Sequence, residues 1–245
     1  MLYWNIGRYV SEKIEKDGWG KNVVEQLSIY VVSENPSIKG FSARLIDSST
    51  YERTILADLK LSAVLTEFPG NTKRIFKDSY VFEFLGLPTE YKENDLRRGL
   101  IFHLKKFLTE LGPDFTLIGE EYSLQVGMKD FRIDLLMFHR GLNCMAAIEL
   151  KTTEFDPSHL GQLQFYLEVL DRDVKKPHEN PSIDILICKT KDDEVVKYAL
   201  NRSMSPTMIA EYETKLINKS LLKKKLQELN LRVEINDDEV QLMTD

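Results

Sequence analysis

Two apolar stretches joined by a short polar turn set the frame of this chain. Phe131-Arg-Ile-Asp-Leu-Leu-Met-Phe138 and Met145-Ala-Ala-Ile-Glu-Leu-Lys151 each have strand length, and His139-Arg-Gly-Leu-Asn-Cys144 between them carries Gly141 and Asn143. The pair reads as a β-hairpin. Side chains alternate along a strand, so Glu149 and Lys151 point one way while Ile148 and Leu150 face a core. After Lys151, Asp156-Pro157 predicts a helix start, with Asp as the cap and Pro in the first turn. The predicted helix, Ser158 to Leu170, sets Gln162 and Tyr166 one turn apart on one face. Ile183-Asp-Ile-Leu-Ile-Cys188 is nearly all apolar, as expected of a buried strand lying parallel to its neighbour through a helical crossover. Residues 92–111 read as a helix that ends near Gly112-Pro113.

The flanks divide the chain. Residues 1–70 read as a helical N-terminal region, 78–215 as the main domain, and 216–245 as a C-terminal helix and tail. Trp4, Ile6, Val10 and Ile14 are spaced for one helix face, Gly18-Trp-Gly20 interrupts, and Asn35-Pro36 ends a second helix. A further helix is expected within 48–67, and Pro69-Gly-Asn71 is a turn and linker. Leu221, Leu222, Leu226 and Leu229 give the C-terminal helix an apolar face suited to packing or dimer formation.

The central hairpin carries the chemistry. It can bring Asp134 beside Glu149, so that two carboxylates and the Lys151 ammonium share a patch of apolar sheet. Charges in such a place must be paired or bind metal. Two hard carboxylates can hold Mg²⁺ or Mn²⁺ and leave positions for water and a phosphate, which suits phosphodiester hydrolysis. Lys151 would position the water, or accept its proton if burial lowers its pKa. A cross-strand salt bridge is the structural alternative for the same residues. Gln162 starts near the sheet edge and can reach a phosphate, a base or a metal-bound water; otherwise it faces solvent beside a half-buried Tyr166.

Six words extend this pattern: Tyr80-Val-Phe-Glu-Phe-Leu-Gly-Leu87, Phe107-Leu-Thr-Glu-Leu-Gly112, Phe131-Arg-Ile-Asp-Leu-Leu136, Ile148-Glu-Leu-Lys151, Gly161-Gln-Leu-Gln-Phe-Tyr166 and Glu194-Val-Val-Lys-Tyr-Ala-Leu200. With the order helix, three strands, helix, strand, they resemble the restriction-endonuclease-like PD-(D/E)XK fold. More narrowly, they resemble the YhcG-like family of bacterial PD-(D/E)XK nuclease-domain proteins. The resemblance implies an α/β fold, a mixed central sheet flanked by helices behind a small helical N-terminal region. It implies a Mg²⁺- or Mn²⁺-dependent DNA endonuclease, with Asp134 and Glu149 as metal ligands, Lys151 as their catalytic companion and Gln162 as an accessory. Tyr166, Arg97 and Arg98 join Gln162 as expected substrate contacts.

The family also has an N-terminal helical domain associated with DNA binding. Its traces here are Tyr3-Trp-Asn-Ile-Gly7, Gly18-Trp-Gly20 and Gly40-Phe-Ser-Ala-Arg44. The step from Arg44 to Tyr51-Glu-Arg53 is short by the family pattern, so this region reads as shortened. Arg97 stands where relatives often carry an acid that can assist a second metal, and Glu93, Asp95, Glu120 and Glu121 are candidates to replace it. These departures leave a second reading open: a weak or inactive nuclease-like module that binds DNA or a protein partner.

Composition changes the picture in three respects. With 245 residues, 42% of them apolar, the chain can bury a full core and hold one domain plus a smaller one. Its net charge of −6 opposes DNA binding, so attraction must come from local basic groups. Candidates are Arg97-Arg98, Lys105-Lys106, Lys73-Arg74 with Lys77, and Lys175-Lys176. Cys144 and Cys188 form no CxxC pair and read as buried thiols in a reducing cytoplasm. His103, His139, His159 and His178 show no zinc spacing, and no P-loop, dinucleotide fingerprint or Gly-x-Ser-x-Gly occurs. No apolar stretch is long enough for a membrane span, and the start does not read as a signal peptide. Cutting a duplex with one site per chain implies a homodimer.

Overall fold

The computed structural model of the chain describes residues 53–54, 57–68 and 75–215. The helices expected in 1–47, the linker at Pro69-Gly-Asn71, the Lys73-Arg74 pair and the C-terminal helix lie outside the described residues. Strands β1 (Lys60–Leu61), β2 (Ser79–Val81), β3 (Phe115–Val126), β4 (Lys129–His139), β5 (Cys144–Glu154), β6 (Ile183–Thr190) and β7 (Thr207–Glu213) form one sheet. The order is β1-β7-β6-β5-β4-β3, with β2 continuing along the same edge of β7 that β1 begins. β5, β6 and β7 are parallel, and β3, β4 and β5 are antiparallel, so the sheet is mixed.

Helices cover both faces. On one side lie α1 (Ala63–Thr66), α2 (Glu93–Phe102) and α3 (Leu104–Leu111); on the other, α4 (His159–Val169) and α5 (Asp193–Leu200). Strand alternation divides the core accordingly. Ala146, Ile148 and Leu150 of β5, with Ile185 and Ile187 of β6, pack against Leu96, Leu100, Phe107 and Leu111. Met145 and Ala147 of β5, with Leu186 and Cys188 of β6, pack against Leu160, Leu163, Tyr166 and Leu167. Each such leucine buried from water contributes about 1.5–3 kcal/mol. Both faces of β5 are therefore buried, not only the face of Ile148 and Leu150. Glu149 sits among apolar neighbours as a result.

The hairpin, the crossover helix and the parallel strand stand where the alternation puts them. Asn143 takes the left-handed conformation that the turn needs (φ 49°), and its side-chain amide donates to the His178 carbonyl at 2.7 Å. Three details differ from the sequence reading. The helix expected over 92–111 is two helices, broken at His103 (φ −102°, ψ 33°), where the chain changes direction to keep both apolar stripes on the sheet. Within 48–67 the regular elements among the described residues include the two-residue strand β1 and the one-turn helix α1, because Lys60 and Leu61 complete the edge of β7. α4 begins at His159, and Asp156 acts one turn earlier by accepting the Ser158 N–H at 2.8 Å. Among the described residues no helix is long and apolar enough to cross a membrane.

Candidate active site

β4 and β5 separate at the place that matters. Their pairing runs from His139–Cys144 to Leu135–Ile148 and goes no further. Beyond it β4 stays with β3, and β5 stays with β6. At this fork the Asp134 carboxylate replaces a backbone acceptor: its Oδ2 takes the Leu150 N–H at 2.9 Å. That bond fixes Asp134 beside Glu149, as the hairpin reading expected.

Glu149 is 5% exposed. Its Oε1 accepts from the Lys151 ammonium at 3.1 Å and from the Gln162 amide at 3.4 Å. Its Oε2 is buried and has no hydrogen-bond partner among the described residues. Burial, and then the neighbouring Asp134 charge, push the Glu149 carboxyl up to about 7 against the pull of Lys151. Burial also raises Asp134, opposed by the Leu150 N–H, Lys151 and Arg97. The Lys151 result is a correction. Burial works to lower its pKa, but Glu149, Glu93 and Asp134 outweigh it and hold the ammonium above its usual range. The lowering by burial on which a proton-accepting Lys151 depends is thus outweighed by its acidic neighbours.

Gln162 is an exposed residue whose side-chain amide donates to Glu149 and to the Tyr166 hydroxyl. Tyr166 in turn donates to the Arg132 carbonyl at 2.7 Å. This chain of contacts ties α4 to the fork between β4 and β5. Exposed as Gln162 is, its amide nonetheless meets Glu149, and the Tyr166 hydroxyl anchors that amide.

On the other side of Asp134 lies an open cleft of about 600 Å³, lined by Tyr91, Lys92, Glu93, Asn94, Arg97, Arg98, Glu121, Asp134 and Thr152. It brings Arg97 and Arg98 to Asp134. Arg97 pairs with Glu121 at 3.0 Å and approaches Asp134 Oδ1 at 3.5 Å. Among the four acids named as replacements at Arg97, Glu93 comes nearest the trio, with its carboxylate 3.5 Å from Lys151. Asp95 instead accepts the Lys92 N–H at the start of α2, and Glu120 is exposed. Sequence reasoning ranked Glu93 no higher than the others; its position one turn before Arg97 on α2 is the signal that singles it out. Lys105, Lys106, Lys175 and Lys176 do not line the cleft. Lys77 is no surface cation: it is buried, and it pairs with the fully buried Glu110 at 3.5 Å. His159 accepts the Asp156 N–H on its Nδ1 at 3.2 Å, a local role at the helix start.

A family model described as the YhcG PDDEXK nuclease domain matches residues 73–227. The chain belongs to this family. A curated relative from Escherichia coli (strain K12), named "Putative nuclease YhcG", is 36% identical over 177 residues, which is 71% of this chain and 47% of the relative. The chain thus spans about half the length of that relative. A solved structure described as a repair endonuclease from Pyrococcus abyssi aligns with 52% of this chain and 49% of its own at 15% identity, with a TM-score of 0.33. That likeness is too partial to carry an argument. The family match covers β2 to β7, and the mixed sheet flanked by helices is the fold that the sequence pattern led us to expect.

Can these residues hold a divalent ion? Among the described residues no group of three or more His, Cys, Asp or Glu side chains converges as a ready cage. What stands at the fork is a pair. Asp134 presents Oδ1 with only a long contact to Arg97, and Glu149 presents a buried Oε2 with none. An oxygen pair of this kind fits a hard ion that keeps waters and takes a phosphate oxygen in its remaining positions. The orphaned Oε2 is the observation that supports the fit, because a buried carboxylate oxygen left unpaired is costly.

Proposed function

We propose that this chain is a metal-dependent endonuclease that hydrolyses phosphodiester bonds in DNA. The observation that carries the reading is the pair Asp134–Glu149 at the fork of β4 and β5, with one buried carboxylate oxygen unpartnered and Lys151 on the other. Mg²⁺ or Mn²⁺ bound to Asp134 and Glu149 would supply Lewis acidity, lowering the pKa of water and offsetting charge on the phosphate. The chain's own residues do the rest. Lys151, paired with Glu149 and Glu93, would place a positive charge beside the reacting phosphate. Gln162 holds Glu149 in place through its amide and is itself held by Tyr166. Lys92, Arg97 and Arg98 line the cleft beside Glu93, Glu121 and Asp134, so the cleft is charge-balanced, and a bound ion on the carboxylates would tip it toward the positive field that a net charge of −6 withholds.

The reading extends to a homodimer, since two strands need two cuts. It also extends to a reducing compartment such as the cytoplasm, which suits the two free buried thiols, both pushed up to about 12 by burial. A test is incubation of the purified chain with supercoiled plasmid in Mg²⁺ or in EDTA. Nicked and linear products in Mg²⁺ alone support the proposal, and intact plasmid in both opposes it. A second reading, a nuclease-like module that binds without cutting, draws on one observation: Arg97 already leans on Asp134. DNA retention without cleavage in the same assay would favour it.

A further inference from the structure

Asp134 has one oxygen to spare and two cations that want it. Its Oδ2 is committed to the Leu150 N–H, and its Oδ1 faces Arg97 Nη1 at 3.5 Å. Arg97 is held from elsewhere. Its Nη2 donates to Asn94 Oδ1 at 2.7 Å and pairs with Glu121 Oε1 at 3.0 Å. Glu121, which supplies that hold, has a positive φ of 43°, a conformation that few side-chain-bearing residues adopt. The Arg97 side chain is 11% exposed, and its Nε–H is buried with no partner among the described residues. The guanidinium thus rests at long range from Asp134 with a donor to spare.

An ion at Asp134 needs Oδ1 and would stand beside this fixed positive charge. A phosphate offers the guanidinium a better place. Nε–H and Nη2–H form one edge of the fork that matches two phosphate oxygens; Nε–H is buried and unused, and Nη2 now bonds Asn94 and Glu121, so a phosphate that takes this edge must turn the guanidinium out of its present hold. Lys92 and Arg98 line the same cleft and would draw a phosphate to that edge against the opposing charges of Glu93 and Glu121.

We propose that Arg97 is a substrate-operated gate on metal loading: it shields Asp134 until a DNA phosphate in the cleft draws it away and completes the ion site. The inference rests on the reading of Asp134 and Glu149 as that site. It makes Arg97 a positioning residue, acting through Asp134. Because coupling between two ligands is reciprocal, DNA tightens the ion and the ion tightens DNA to the same degree.

The test is Mn²⁺ affinity, followed by electron paramagnetic resonance of free Mn²⁺, with and without a DNA duplex whose backbone resists cleavage. The full chain is compared with Arg97→Gln, Glu149→Gln and Lys105→Gln, the last removing a positive charge outside the cleft. The duplex should tighten Mn²⁺ binding to the unaltered chain by at least about tenfold, given the strength of charge repulsion at such short range. Arg97→Gln should show that gain already without DNA and little more with it. Lys105→Gln should match the unaltered chain. The gate is refuted if Arg97→Gln binds Mn²⁺ like the unaltered chain without DNA, or if it keeps the full gain from the duplex. If Arg97→Gln fails to fold by circular dichroism, the unaltered chain still decides: no gain from the duplex overturns the gate. Unchanged Mn²⁺ binding in Glu149→Gln would instead place the ion elsewhere and defeat the site reading itself.

Discussion

Replacing Glu149 by glutamine keeps the side chain's size and its bond from Lys151 while removing a charge that the fold resists. In the folded chain this carboxyl is raised from its ordinary 4.5 to about 7, first by burial and then by Asp134. At about 1.4 kcal/mol per pH unit, holding it ionised at pH 8 costs about 3 kcal/mol of folding stability. The sign follows from proton counting. Between about pH 4.5 and 7 the folded state binds a proton that the unfolded state has lost, so stability falls as pH rises through that window and then levels off. Glu149→Gln has no such proton. Without metal at pH 8 it should melt higher than the unaltered chain by about 5–10 °C, and the two should converge near pH 4.5. Mn²⁺ should act in the opposite sense. At ten times its Kd it adds about 1.4 kcal/mol to the unaltered chain, a few degrees in Tm, and nothing to Glu149→Gln. Calorimetry over pH 4.5–8 with and without Mn²⁺ reads all of this. Parallel pH profiles for the two proteins, or equal responses to Mn²⁺, would refute the reasoning.

Other outcomes test neighbouring parts of the account. Gln162→Ala should slow cleavage about tenfold to a hundredfold, the loss expected for a residue that positions Glu149; a normal rate would make its contact with Glu149 incidental. Asp184 is fully buried, with its carboxyl pushed up to about 8 by burial despite the bond from Thr207 at 3.1 Å. Stability attributable to it should therefore decline as pH rises from about 4 to 8, and Asp184→Asn should flatten that decline in urea titrations. Light scattering at micromolar concentration should report a homodimer, and a monomer that still cuts both strands with ordinary kinetics would contradict that expectation.

The sequence disclosed the parts of the site that depend on local pattern. Alternation in 131–138 and 145–151 located Asp134, Glu149 and Lys151, and the Asp156-Pro157 signal placed Gln162 and Tyr166 on the helix that meets them. What it could not disclose is set by distance along the chain. The contact of Arg97 with Asp134 joins residues 37 apart, and that of Lys151 with Glu93 spans the same helix-to-sheet gap. The direction of the Lys151 shift follows from three acids converging on it, which no spacing rule reports. Lys77 looked like part of a basic patch because its partner Glu110 lies on a different element. The break at His103 has a similar origin: the apolar period continues through it, and the need for Leu96, Leu100, Phe107 and Leu111 all to reach one core is set by the sheet they pack on.

The central claim is that Asp134, Glu149 and Lys151 form one catalytic unit on a divalent ion. Cleavage rates in Mg²⁺ for Asp134→Ala, Glu149→Ala, Lys151→Ala and the Asp134→Ala/Lys151→Ala double variant test it most directly. Each single variant should abolish cutting to background, and the double should lose little beyond either single, because residues that act together are not additive. A single variant that folds and still cuts near the unaltered rate, with contaminating nuclease excluded, would contradict the account.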